Sequence, residues 1–528
     1  MKRFSSILMV TFSLLSGCAS VQPVPMDPAF VGDQLALDRA LAQDGVEPIL
    51  GPLTLEDAIA RAIKYNLDHR ARLIEQAIAH GEFDLSRYDM LPSVLADAGY
   101  TTRNKPLLTT SRTLEGADPE AEGEAADDLN EEANTGGGTR DDPSVGSDNS
   151  KWELSLGLSW SLVDFGSSYY AAKQNADRLL IAMEGRRRAM HLLILDVQTA
   201  YWRAASAQEL EHRVRETIEE TREAIEAARE SAELNELNPL VNLRHQRVLL
   251  TTLKSIHAVQ EELSAAKVEL ANLINAPFDA NFQLDPGFLE RPGGGILDRP
   301  LSELELVALY NNADLQVPFY QARIAAAETR RALLDLMPGI QLDWGPRYTT
   351  DSFVINNQWN QGAVSITWNL LNVLRAGDVM DNAQAREELA QMRRAAVQMS
   401  VVAQVHLARL LVENSADQLE NAEDLLSVDR AIENHQVRGF EAGTTSRAEV
   451  VAAKAAAIVT EMQRYQALAK FYAANGQLQA SLGVEPDISS LNNASLDDIR
   501  GEVREALERW HSGAEIKSKL ALINFSAN

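Results

Sequence analysis

The chain holds one cysteine, Cys18, and it closes the run Leu15-Ser16-Gly17-Cys18. Behind Lys2, Arg3 and an apolar stretch from Phe4 to Leu15, that tetrapeptide resembles a bacterial lipobox, in which an export signal is removed and the cysteine becomes a lipidated first residue. The apolar stretch is too short to cross a membrane. No second cysteine exists, so no intrachain disulfide can form. Ala19 and Ser20 stand where an aspartate would retain such a lipoprotein at the inner membrane, which points to the outer membrane. Other reactive patterns are missing. There is no HExxH, P-loop, CxxC or nucleophile elbow. His191, His212, His245, His257 and His406 are scattered over helical stretches without ligand spacing, and Gly293 to Gly295 is not followed by Lys-Ser/Thr. The sequence predicts no enzyme, no metal site and no cofactor.

Length and composition turn attention to the elements that carry these residues. Over 528 residues only 6% are aromatic, and Ala, Leu, Glu, Gln and Arg dominate, as long helices require. The net charge of −27 argues against nucleic acid as a partner. Past Cys18 no uninterrupted apolar run approaches the roughly 18 residues of a membrane helix. One segment breaks the helical pattern. In "KWELSLGLSWSL", Trp152, Leu154, Leu156, Leu158, Trp160 and Leu162 alternate with Glu153, Ser155, Gly157, Ser159 and Ser161. As a strand it has one greasy face and one hydrophilic face. It either half-covers a soluble core or stands in lipid with its polar side toward water.

The sequence is duplicated. Leu91-Pro92-Ser93-Val94 recurs as Met337-Pro338-Gly339-Ile340 at an offset of 246, which also carries Asn66 and Asp68 onto Asn312 and Asp314. Around Trp160 the offset is 208: Leu156, Leu158, Trp160 and Leu162 fall on Val364, Ile366, Trp368 and Leu370. The 38-residue difference is an insertion in the first half. Between Thr113 and Ser150 it holds twelve carboxylates against the single Arg140, so 11 of the 27 net negative charges. With Gly136 to Gly138 and almost no apolar residue it cannot bury a core and reads as a disordered loop.

These signals organise the chain as a signal peptide (1–17), a lipidated N-terminal segment (18–52), a first repeat (53–283), a crossover linker (284–301), a second repeat (302–486) and a C-terminal tail (487–528). The first repeat has a helical pattern over 55–88, strands at 93–103 and 151–162 around the acidic loop 106–150, and helices at 170–234 and 241–275. The second has a helix over 303–336 opened by a Ser302–Glu305 capping box, strands at 340–348 and 362–371, and helices at 377–440 and 447–482. The tail carries a helix from Leu496 to Trp510. Leu249, Leu253, Ile256, Gln260, Leu263, Lys267, Leu270 and Ile274 step by four and three, as in a coiled coil. The longest helices would extend roughly 95 Å.

Four strands cannot close a membrane barrel, whose small end is about eight, and each unpaired backbone group left in lipid costs several kcal/mol. Copies must then pool their strands; the count alone allows a dimer of eight. Twelve residues at about 3.3 Å each, tilted near 45°, rise about 28 Å, which matches the apolar band of a bilayer. Trp152, Leu154, Leu156, Leu158, Trp160, Leu162, Val364, Ile366, Trp368 and Leu370 are the expected lipid-facing residues, the tryptophans suiting aromatic girdles. Ser155, Ser159, Ser161, Thr367 and Asn369 would line a wet lumen.

On these strand pairs, the strand exits "SWSLVDFG" and "TWNLLNVLR", and the turn "EAGTTSRAEVVAA", the chain resembles the TolC-like outer membrane efflux protein family, as a lipoprotein member, from Leu53 to Pro486. The resemblance implies a mainly α homotrimer with a twelve-stranded membrane β-barrel on a long α-helical coiled-coil tunnel. It would serve as the passive exit duct of a tripartite efflux or type I secretion system, with a periplasmic adaptor protein and an inner membrane transporter as partners. It places Glu449 at the family's first constriction acid and Ala452 at the second, which departs from the two-carboxylate pattern. A three-fold ring of Glu449 would focus a negative potential at the periplasmic mouth; alternatively Glu449 is a first-turn acid favoured by the helix dipole. Gly443, Thr444, Thr445 and Ser446 are candidate adaptor contacts or plain helix caps. The rival function is a lipid-anchored structural or adhesive coiled-coil protein of the cell envelope, without a channel, whose strands cap a soluble bundle.

Overall fold

The structure, a computed structural model, describes residues 25–110, 143–233, 239–277, 282–285, 296–297, 299–484 and 494–526. Cys18 and the signal, the expected disordered body of the insertion, the turn at 235–238 and much of the crossover linker lie outside these residues. The described elements are α1 (Pro28–Gln43), α2 (Leu55–Tyr65), α3 (Leu67–Tyr88), β1 (Ser93–Thr102), β2 (Leu108–Thr110), β3 (Pro143–Val145), β4 (Ser150–Ser161), α4 (Leu162–Glu233) and α5 (Pro239–Leu273). They continue as α6 (Leu301–Asn311), α7 (Ala313–Leu334), β5 (Gly339–Thr349), β6 (Gln358–Thr367), α8 (Asn372–Glu441), α9 (Arg447–Leu482), α10 (Leu496–His511) and α11 (Ala514–Ser526). The chain divides into two compact units: Met1–Ile74, Gly185–Ala313 and Met399–Asn528 form one, Glu75–Glu184 and Asp314–Gln398 the other.

In the first unit α4, α5 and α9 share a core. Leu210, Val214 and Ile218 of α4 meet Ile256 and Val259 of α5 and Ile458 of α9. Leu249, Ile256, Leu270 and Ile274 of the expected seam are buried, but Gln260 is exposed and Lys267 only half-buried, and the adjacent Val259 and Ala266 are buried instead. An amide with no partner in an apolar seam would cost more than a small rotation of the helix, so the valine takes the place. In α8, Val401, Val405, Ala408, Val412, Ser415 and Leu419 step by four and three and are all buried, a heptad seam. Polar bonds join α8 and α4 to α9. The half-exposed Arg213 and Arg430 both donate to the nearly buried carboxylate of Glu461, Arg430 at 2.7 Å.

The duplicated asparagines have a structural reason. The single helices expected over 55–88 and 303–336 are each broken, at Asn66 and Asn312, whose backbones turn extended at φ −62°, ψ 126° and φ −66°, ψ 124°. Asn66 Nδ2 donates to the Leu273 carbonyl at 3.1 Å, and Asn312 Nδ2 to the Ser481 carbonyl at 2.8 Å. Each amide thus satisfies an orphan carbonyl at the end of the second long helix of its repeat. The tail packs on the short helices in the same two-fold sense. Helix α10 lies against α2 and α11 against α6, with Val503, Trp510 and Ile516 buried.

Other boundaries differ from expectation. The Ser302–Glu305 capping box does not form, because α6 starts at Leu301 after Pro300, with no side-chain cap; Glu305 bonds His406 Nε2 at 2.7 Å instead. The acidic insertion is not loop from 106 onward, since β2 and β3 pair antiparallel at its base. Helix α4 begins at Leu162, not 170, so Leu162 is no strand residue. There Ser161 Oγ accepts the Asp164 N–H at 3.2 Å, and the strand passes into the helix without a loop. Strand β6 covers Gln358–Thr367 rather than 362–371, which leaves Trp368 and Leu370 outside it. Trp368 Nε1 donates to the Leu336 carbonyl at 3.0 Å beyond the end of α7, a bond that draws it out of the ladder. The expected start also missed Gln358, Trp359, Asn360 and Gln361, three of them polar, whose backbones pair with β5 whatever their side chains.

Candidate functional site

Two regions carry the functional expectations. The first is the sheet, in the order β1-β4-β5-β6 with every pair antiparallel. Each repeat supplies one pair, and β4 and β5 join them. Residues directly opposite share a face. On one face the register places Val94, Ala96, Ala98 and Tyr100 beside Trp152, Leu154, Leu156 and Leu158. Tyr348, Trp344 and Leu342 continue it opposite Leu154, Leu158 and Trp160, and Gly362, Val364 and Ile366 complete it on β6. The other face carries Asp97, Ser155, Ser159, Gln341, Asp343, Arg347, Gln361 and Ser365, with Gln341 Nε2 donating to Ser159 Oγ at 3.2 Å. Among the described residues no protein core covers the apolar face: Val94 is 66% exposed, Leu156 50%, Trp344 58% and Val364 70%. Among the described residues β1 and β6 are both open edges.

The seam between the two repeats is interrupted once. The β4–β5 ladder skips Leu156 and Gly157 opposite Gly345 and Pro346, because proline has no N–H to give. At Gly345 a Cβ would lie 2.0 Å from the Leu156 carbonyl oxygen, so only glycine lets the strands approach. Beyond the sheet, the two connections grip each other. Asp148 accepts from Ser352 N–H at 2.6 Å and Ser352 Oγ at 2.9 Å, while the buried Asp351 accepts from Asp148 N–H at 3.1 Å. Sequence periodicity carried no trace of this interlock between the base of the acidic insertion and its short counterpart.

The second region is the α8–α9 turn. Gly443, at φ 74°, holds the left-handed position that ends α8. The Thr444 N–H donates to the Gly439 carbonyl at 2.8 Å, and Thr444 Oγ1 donates to the same oxygen at 3.0 Å. A Cβ at Gly439 would collide with Thr445. Ser446 is the N-cap of α9 in a full capping box with Glu449, whose Oε2 accepts from Ser446 N–H at 2.9 Å and from Ser446 Oγ at 3.0 Å. These two bonds hold the Glu449 carboxyl below its ordinary range, with His245 contributing. Gly443, Thr444, Ser446 and Glu449 therefore have local structural duties, while Gly443, Thr444 and Glu449 stay exposed. Behind the turn, Arg447 pairs with Glu223 at 2.5 Å and Lys454 with Glu220 at 2.7 Å, tying α9 to α4.

Because its folded-state pKa is depressed, Glu449 stabilises the turn fully above the unfolded value near 4.3 and loses that contribution as pH falls through the folded value. The turn of the wild type is therefore expected to keep constant protection against amide hydrogen exchange from pH 8 to 6. Glu449→Ala opens it by about 0.5–2 kcal/mol in this range, as loss of a cap does. Equal protection in both proteins would show that the capping box does not hold the turn.

Beside the turn, α5 and α9 leave a groove of about 650 Å³ lined by Arg244, Arg247, Val248, Thr251, Ala452 and Ala455, among others. Opposite its buried seam, α8 exposes Met399, Leu407, Leu410, Leu411, Leu425 and Ile432. One stretch of α8 is apolar enough, by length and composition, to cross a membrane. An apolar stripe on both sides of one helix is what a helix uses to pack on two neighbours.

A four-stranded sheet built from two repeats, with one uncovered apolar face, together with paired long helices defines the fold class. The chain has the TolC-like fold of solved outer membrane channels. It is similar to the outer-membrane channel OprN, at a TM-score of 0.61 with 17% identity over 82% of this chain and 90% of that one. It is likewise similar to the CmeC outer membrane channel of Campylobacter jejuni, at 0.61 with 12% identity over 85% and 89%. The outer membrane protein VceC of Vibrio cholerae matches at 0.58 with 14% identity over 81% and 96%. No protein family model and no curated protein sequence matches the chain.

Proposed function

We propose that this chain is the outer membrane channel of a tripartite efflux or type I secretion system, a passive exit duct from the periplasm to the outside. The observation that carries the reading is the four-stranded sheet with a polar face, an exposed apolar face and two open edges. In water that apolar face would be a liability; in lipid the apolar face is satisfied, but the edges are not until other copies close the ring. A homotrimer would supply twelve strands, enclosing the Ser155–Ser159 face as a wet lumen. The surplus apolar stripe of α8 supports packing between copies. The groove between α5 and α9 and the exposed turn at Gly443 and Thr444 are the surfaces offered to a periplasmic adaptor hairpin, itself linked to an inner membrane transporter. Lipidation at Cys18 would add an anchor in the outer membrane. A three-fold ring of Glu449 carboxylates would tune the entrance, holding negative potential at all pH values above the acid range. The adhesive or structural reading needs the strands to cover a soluble core, and their exposure on the apolar face speaks against it.

Single-channel recording in a planar bilayer tests the reading. The purified full-length protein is expected to insert and conduct, and Glu449→Ala to reduce cation preference. A folded oligomer that never conducts, with or without that substitution, overturns it.

A further inference from the structure

We infer that the groove between α5 and α9 docks an α-helix whose contact face is acidic and small-sided, and that Arg244 and Arg247 select it. The inference deepens the adaptor reading given above and rests on it. Helices α5 and α9 run parallel, since Leu249 shares a core with Val451 and Ile256 shares one with Ile458. Outside that core each helix presents a second row at three- and four-residue spacing: Arg244, Arg247 and Thr251 on α5 against Ala452, Ala455 and Val459 on α9. From Arg244 to Ser255 the groove spans three turns, about 16 Å. Ala455 is buried and Ala452 half-buried, so methyl groups form much of the floor and a third helix axis can approach to the short end of the roughly 8–10 Å packing range. That length suits the anchors of a helix laid in a groove. An extended peptide would find no strand edge here and would leave its backbone groups unpaired, whereas a helix brings its own bonds.

Charge selects the occupant. Arg244 and Arg247 are exposed, and among the described residues neither guanidinium has an ion pair or a hydrogen bond. In a chain of net charge −27 the bases around this end of the helices are otherwise engaged: Arg447 pairs with Glu223, Lys454 with Glu220, Arg222 with Glu219 and Arg229 with Glu226. Glu449, one turn before Ala452 on α9, spends Oε2 on Ser446. Two neighbouring guanidinium forks left open beside an apolar floor accept carboxylates in bidentate fashion and repel a basic helix. The occupant therefore carries small or apolar residues at i, i+3 or i+4, and i+7. It also carries Asp or Glu one turn apart at the end that lies nearest the α8–α9 turn, where Arg244 and Arg247 stand.

A disulfide-closed two-helix hairpin peptide tests this, with alanines on its contact face and a Glu, Gln or Lys pair one turn apart. Its binding to the full-length oligomer in detergent is followed by fluorescence anisotropy. Wild type should bind the Glu hairpin at least about tenfold more tightly than the Lys hairpin, with the Gln hairpin between them. Arg244→Glu with Arg247→Glu should reverse that order, circular dichroism confirming that the double variant keeps its helices. No binding of the Glu hairpin, equal affinity for the Glu and Lys hairpins, or an unchanged order in the double variant overturns the inference. A benzophenone on Thr251→Cys that joins two copies in the absence of hairpin also overturns it, because the groove is then an interface between copies. Planar-bilayer conductance separates the two levels. A conducting channel with any of these results sinks only this inference, whereas charge-selected binding by a protein that never conducts sinks the duct reading and leaves the helix-docking groove standing.

Discussion

Leu156→Arg should remove the protein from the outer membrane fraction as a folded oligomer. Leu156 lies at the middle of β4, opposite Ala96, and half of its surface is open. A guanidinium at the midplane of a lipid-facing strand costs about 2–4 kcal/mol, or roughly a 30- to 900-fold loss of the inserted state, multiplied across every copy in a shared wall. Ser159→Lys, three residues away on the other face and opposite Asp343, should leave insertion intact and alter only conductance and ion preference. Heat-modifiable migration of membrane extracts reads the first effect, and planar-bilayer recording the second. If both variants insert equally well, the two faces of the sheet do not meet different solvents, and the channel reading loses its basis. In an ordinary soluble sheet the same Leu156→Arg change on an open face would cost little.

Gly483→Ala carries the largest effect expected in the helical part. Gly483 ends α9 in the left-handed conformation at φ 67°. A Cβ there would stand 2.3 Å from the Asn311 carbonyl oxygen and 2.7 Å from the Asn312 nitrogen. Both atoms belong to backbone at the break between α6 and α7, which cannot swing aside as a side chain can. Arg187 Nη2 also reaches the Asn311 and Gly483 carbonyls, at 3.2 and 3.4 Å. The left-handed strain and the overpacking together should destabilise by about 2–5 kcal/mol. Gly501→Ala is the control: no atom lies within 4 Å of its added Cβ and the site is inside α10, so stability should rise by about 0.5–1 kcal/mol. Urea melts followed by circular dichroism compare the two, and a Gly483→Ala protein as stable as wild type would show that the close approach at the break is not needed.

Much of this architecture was legible in the residues because it is periodic. The alternation from Trp152 to Trp160 fixes which side chains share a face, since successive strand residues must point apart. The offset of 208 carries Ser150 onto Gln358, where β6 begins, so the duplication marked that strand better than its own weak alternation did. The repeated Asn66 and Asn312 were visible as a match, but their work was not: each amide answers a carbonyl some 170 to 210 residues away, and no local pattern announces so distant a partner. The capping box at Ser302 shows the converse. Its spacing was right, yet Pro300 starts the helix without it and Glu305 turns to His406 of α8.

By itself the sequence determined the elements and their sidedness: two strand pairs, paired long helices with stepped seams, an acidic insertion and a capped turn. These follow from the spacing of apolar groups, and spacing is local. Tertiary structure alone decided what lies against each face. It left the apolar side of the sheet bare, joined the two repeats through β4 and β5, and drew Trp368 out of the strand toward the Leu336 carbonyl. Those outcomes depend on contacts between residues far apart in the chain, where hydrogen-bond geometry and desolvation, rather than periodicity, choose among the alternatives.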